Sequence, residues 1–156
     1  MTRRPAICAI AGALAAFGCS SGSSDAPPTD RPVAADAPLA WVRDDEPAAF
    51  TRARAEHKGV MVHFAAAWAA QPLELERTFA TPAVRPALAR SFVPLRIDVT
   101  DDSDAAREAL ARYHAVVPTV VFLTADGREL ARVDRVLAPS DFLGVVRHAA
   151  SALTAR

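Results

Sequence analysis

Apolar residues fill Val60 to Ala65 with His63 as the one interruption, and a second such run spans Thr119 to Thr124. Runs without a polar face predict strands covered on both sides, as in a central layer. Phe92 to Val99 predicts a further strand, and Leu39 to Val42 a short first one. Elsewhere the pattern turns helical. Asp45 and Pro47 form a cap and first-turn pair for a helix carrying Phe50, Ala53 and His57 at helical spacing, which Gly59 is expected to close. Leu73 to Phe79 and Pro82 to Ala89 read as a helix interrupted near Thr81 and Pro82. Ser103 is expected to cap a helix with Ala106, Leu110 and Tyr113 on one face. After the second apolar strand, the Asp126-Gly127 turn signal leads into an alternating strand, Glu129 to Val136. A closing helix from about Ser140 places Phe142, Val146, Ala149 and Leu153 on one side. The order βαβαβαββα predicts an α/β fold, a mixed sheet with helices on both faces.

The first residues follow a different rule. Arg3 and Arg4 precede an apolar run, Ala6 to Phe17, which is too short to span a bilayer and suits a signal-peptide core. Gly18-Cys19 and the polar stretch that follows resemble a bacterial lipoprotein signal. That resemblance makes 1–18 a signal peptide, Cys19 the lipidated residue carrying palmitate-type chains, and the membrane a partner through this anchor. Ala16 and Phe17 stand where such signals carry a leucine and a small residue. Ordinary cleavage near Ala15 or Ala16 is the alternative, and it would leave Cys19 a free thiol. Residues 19–38, rich in Ser, Gly, Ala, Asp and Pro, read as a disordered tether that holds the domain about 25 Å from its anchor. The remaining 39–156 form one domain.

Without residues 1–18 the balance is 16 basic against 18 acidic residues. Such a balance predicts no nucleic-acid partner. The histidines His57, His114 and His148 lack metal-ligand spacing and are expected on helix surfaces. No metal and no cofactor are expected. The only cysteines are Cys8 and Cys19, so the folded part has no thiol chemistry of its own.

Three segments carry a resemblance: VMVHF followed five residues after His63 by Trp68, then TFATPAVRPAL, and Val117-Pro118-Thr119 before a buried strand. Together they resemble the thioredoxin superfamily, and most of all the C-terminal domain of periplasmic thiol:disulfide interchange reductases. The resemblance covers Leu39 to Leu153 and implies a thioredoxin-like fold. In active relatives Cys-x-x-Cys follows the tryptophan, its first sulfur activated by a helix N-terminus. Here those positions are Ala69 and Pro72. His63 stands where the family tends to keep a buried carboxylate, and we expect a buried or hydrogen-bonded structural histidine. Pro118 matches the family's cis-proline. By the same resemblance Trp68, Val117 and Pro118 would floor a shallow apolar groove that holds a peptide as an added strand. Trp68 to Phe79 and Tyr113 to Pro118 are each one residue shorter than the family spacing, which alters the borders of this site.

Three functions follow. The first is a membrane-tethered, redox-inactive protein of the cell envelope, facing the periplasm from the inner or outer membrane, that binds a peptide or partner protein at the former active-site face. The second is thiol:disulfide interchange in envelope redox homeostasis that relies on a partner's cysteines. The third is an enzyme of another class built on His63 with Asp98 or Glu74.

Overall fold

A computed structural model describes residues 38–155. The expected signal peptide, the lipidated Cys19 and the tether as far as residue 37 lie outside the described residues.

The central layer forms where the apolar runs require it. The chain runs β1 (Val42–Arg43), α1 (Glu46–Ala55), β2 (Gly59–Ala65), α2 (Gln71–Phe79), α3 (Val84–Ser91), β3 (Phe92–Asp98), α4 (Asp104–Arg112), β4 (Thr119–Leu123), β5 (Glu129–Val133) and α5 (Pro139–Thr154). The five strands lie in the order β1-β3-β2-β4-β5. β1, β3 and β2 are parallel, while β4 runs antiparallel to β2 and β5 antiparallel to β4. This is a mixed α/β sheet with helices on both faces.

β2 is buried along its whole length because alternate side chains serve two cores. Val60, Val62 and Phe64 face Ala49 and Ala53 of α1 and Ala106 of α4. Met61 points the other way, toward Leu75 and Phe79 of α2, Leu88 of α3 and Phe142 of α5. Asp45 caps α1 by accepting the Ala48 N–H at 2.9 Å, and Ser103 caps α4 by accepting that of Ala106 at 3.2 Å. Both caps satisfy amides that a helix start leaves without partners.

Several expectations are corrected. Gly59 does not close α1, which ends at Ala55 with His57 in the left-handed region at φ 53°. Gly59 opens β2 instead, where a Cβ would stand 2.5 Å from the Leu123 carbonyl oxygen and 2.8 Å from the Phe92 ring. The first strand is Val42–Arg43 rather than Leu39 to Val42, because pairing with Leu95 and Arg96 of β3 defines it. His57 and His114 sit in left-handed turns just beyond α1 and α4, and only His148 lies on a helix surface as expected.

Candidate functional site

The candidate site is built where three loops meet at one end of the sheet. Phe64 pairs with Thr119 and Ala65 with Asp98, so the segments after β2, after β3 and before β4 emerge side by side. The Ala67 N–H donates to Thr100 Oγ1 at 3.0 Å, which ties the first loop to the second. Ala69 N–H donates to the Ala66 carbonyl at 3.2 Å and turns the chain into α2.

That turn sets Trp68 in solvent with 68% of its surface exposed, while Ala69 keeps only 8%. α2 begins after Ala70, which carries no side-chain cap, and Pro72 lies buried in the first turn. Leu73 and Glu74 both donate their N–H groups to the Ala70 carbonyl, at 3.1 and 3.3 Å. The positive end of the α2 dipole is therefore directed at methyl groups. A thiol there would be shifted toward thiolate, but an alanine offers nothing to ionise.

Across the same end, the Val117-Pro118 peptide is cis, as the resemblance implied. Thr119 secures this corner. Its buried hydroxyl accepts the Val116 N–H at 3.3 Å and donates to the Val116 carbonyl, with Asp134 Oδ1 3.2 Å away. Val117 and Pro118 are half-buried. Large hydrophobic side chains left exposed among the described residues are Trp68, Leu73 and Val116, the last two at 54% and 67%. All three belong to α2's first turns or the loops beside them. Five of the cavities that open on the described residues, of about 280 to 560 Å³, are not lined by Trp68, Val117 or Pro118. The face presents projecting side chains rather than one of these hollows.

His63 lies beneath α2 and has no exposed surface. Its ring meets Phe79 edge-on at 5.2 Å and Trp41 at 6.1 Å. Among the described residues neither ring nitrogen has a hydrogen-bond partner, so the histidine is buried and not hydrogen-bonded there. Loss of solvation, aided by the nearby Arg96 guanidinium, lowers its pKa to about 4. Glu76 Oε1 stands 3.7 Å from Nε2, but the same oxygen lies closer to Arg96, at 3.3 Å, and makes no hydrogen bond to the ring. The imidazole is neutral at neutral pH.

The alternative catalytic pairs do not assemble. Asp98 is exposed at the end of β3 and accepts hydrogen bonds from Thr100, which hold its carboxyl below the usual range. Glu74 is exposed on α2. The carboxylate that approaches His63 is Glu76, which the helical pattern alone did not single out.

With this geometry in hand, a family model described as thioredoxin-like matches residues 40–125, more than half of the chain. The chain belongs to the thioredoxin-like family. Among solved structures, this thioredoxin-like chain is similar to a thioredoxin from Thermus thermophilus, at 27% identity over 70% of this chain and 85% of that one, with a TM-score of 0.61. It is also similar to the DsbH oxidoreductase, at 20% identity over 78% and 89%, with a TM-score of 0.62. The reduced C-terminal domain of DsbD from Neisseria meningitidis aligns at 24% identity over 69% and 99%, with a TM-score of 0.60. The last two bear on the fold alone. No match is found among curated proteins.

Proposed function

We propose that this thioredoxin-like chain is a redox-inactive lipoprotein of the cell envelope, tethered through Cys19, that binds a peptide or partner protein at its former active-site face. One observation carries the reading: the exposed Trp68, Leu73 and Val116 lie in the first turn of α2 and in the loops after β2 and before β4, which leave the same end of the sheet, and both sulfurs are missing from the start of α2. Exposed apolar side chains brought together at one end of a fold mark interaction surfaces more often than isolated ones do. By the family resemblance, the backbone of Val117, beside the cis Pro118, is the group that pairs with a peptide as an added strand. Among the described residues no helix is long and apolar enough to cross a membrane.

Likeness to oxidoreductases supports a second reading, thiol:disulfide interchange that uses cysteines supplied by a partner. Exchange needs an attacking thiolate, and residues 20–156 contain none.

Photocrosslinking tests the first reading. Ala69 is too buried to carry the probe, so it belongs at the exposed Ala70, with exposed Arg147 on α5 as control. In intact cells the probe at Ala70 is expected to give one dominant crosslinked species, absent from the control and lost on combining Trp68→Ser with Val116→Ser. Identical patterns at the two positions would contradict binding at this face.

A further inference from the structure

A second feature of the fold shares no lining residue with the Trp68 face. Along the β1 edge of the sheet a cavity of about 280 Å³ opens between α2 and the first strand, and Pro38, the first described residue, is part of its lining. Trp41 and Phe79 form its aromatic wall, with ring centroids 5.9 Å apart and planes tilted by 44°. The chain is fixed where it arrives. The Arg52 guanidinium donates to the Ala40 carbonyl at 2.8 Å, and the Trp41 N–H closes a tight turn on the Leu39 carbonyl at 3.0 Å. Leu39 and Trp41, both half-buried, pack against the core on the α2 side of the sheet.

Residues just upstream of Pro38 therefore start from the cavity itself. At no more than about 3.6 Å per residue, Asp36 stays within about 7 Å of Pro38 and Val33 within about 18 Å. Val33-Ala34-Ala35-Asp36-Ala37 combines small apolar side chains with one acid, and Asp36 is the only carboxylate between Asp30 and Asp44. Val33 is likewise the one branched apolar residue between Ser20 and Pro38. On the lining, Arg96 is already engaged, with Nη1 3.3 Å from Glu76 and Nη2 3.8 Å from Asp98, and Arg85 is not free either. The exposed Arg43 side chain makes no hydrogen bond or ion pair among the described residues. Asp44, beside it in sequence, turns its carboxylate to the Asp98 N–H at 2.7 Å. A carboxylate that reaches this rim finds Arg43 open.

We propose that residues 33–37 of this same chain dock along the cavity, with their alanine and valine side chains against Trp41 and Phe79 and the Asp36 carboxylate on the Arg43 guanidinium. Apolar contact with the aromatic wall supplies most of the attraction, and the ion pair at an exposed arginine fixes the register. A volume near the lower end of the range for ligand sites suits a short run of small side chains. Because Pro38 joins the segment to the domain, docking is intramolecular, at an effective concentration of about millimolar. Residues 20–32 then remain as the free part of the tether. At about 5–6 Å times the square root of their number, they hold the domain about 20 Å from Cys19. That distance rests on the lipid anchor proposed above, whereas the docking does not.

Nuclear relaxation of the full chain in detergent tests the docking. Backbone order parameters of residues 34–37 are expected near about 0.85, as in rigid backbone, against less than about 0.6 for residues 22–26 of the tether. Val33 methyl protons should show Overhauser contacts to the Trp41 ring. Asp36→Asn and Arg43→Gln should each lower the order parameters of 34–37 to about 0.6, and the charge exchange Asp36→Arg with Arg43→Asp should restore them. Arg43 is exposed and does not support the core, and an unmoved Trp68 indole resonance checks that each variant keeps the fold. Order parameters below about 0.6 through 33–37 in the parent chain, or values that neither single variant moves, would overturn the proposal. Ordering that appears only as protein concentration rises would seat the segment on a second copy and would equally overturn it. None of these readouts depends on the lipid at Cys19, so a failed anchor and a failed docking are told apart.

Discussion

Replacing Ala69 and Pro72 together by cysteine is expected to turn this chain into a working dithiol protein. Ala69 lies just before the Ala70 N-cap and Pro72 in the first turn of α2, three residues apart, the positions that the family resemblance assigns to the paired cysteines, whose sulfurs must reach disulfide-bonding distance. A thiol at position 69 would face the free N–H groups and positive dipole end of α2. If that lowers its pKa from about 8.5 to about 7, the thiolate fraction at pH 7 rises from roughly 3% to roughly 50%. Alkylation of the single variant Ala69→Cys at pH 7 should therefore run roughly tenfold faster than that of a surface cysteine, once both are scaled to accessibility. The double variant should form an internal disulfide under mild oxidation and reduce insulin with dithiothreitol as electron source. A double variant that folds yet neither closes a disulfide nor reduces insulin would show that more than the sulfurs has been lost.

His63 sets the other large effect. In the folded chain its pKa is about 4, against an ordinary value of 6.5. Between those values the unfolded chain binds a proton that the folded chain refuses, so stability falls as pH drops from 6.5 to about 4 and levels off below. At 1.36 kcal/mol per pH unit the fully buried ring accounts for a loss of about 3 kcal/mol across that window. His63→Leu removes the titration and also two buried nitrogens without partners. At pH 7 the substitution is expected to add about 1–3 kcal/mol, or about 4 °C in Tm for each kcal/mol. The gap between variant and parent should widen on going to pH 4. Asp98 titrates at lower pH in both proteins and cancels from the comparison. Thermal unfolding followed at pH 7, 5.5 and 4 would measure both effects, and an unchanged slope or a loss of stability in His63→Leu would contradict the buried neutral assignment.

Much of this arrangement was legible before any coordinates. β2 and β4 announce themselves as apolar runs because both their faces are covered, and Asp45, Ser103 and the break at Pro82 act on residues adjacent in sequence. The family's strand, tryptophan and cis-proline also survive as local patterns, so the absence of sulfur at Ala69 and Pro72 could be read directly. What escaped depends on distant neighbours. Gly59 resembles a helix stop, and only the approach of Leu123 and Phe92 shows why no side chain fits there. β1 is two residues long and exists through its pairing with β3. Glu74 and Glu76 both fit α2, and the rotation of that helix on the sheet decides which one nears His63. The cavity beside Trp41 joins residues from β1, α2, α3 and β3, a convergence that no spacing along the chain records.

Insulin reduction by the full chain with Cys19→Ser, in the presence of dithiothreitol, tests the central claim most directly. The account predicts turnover no faster than dithiothreitol alone, with the Ala69→Cys, Pro72→Cys variant active in the same assay. Reduction by the sulfur-free α2 at the rate of that dithiol variant would contradict it.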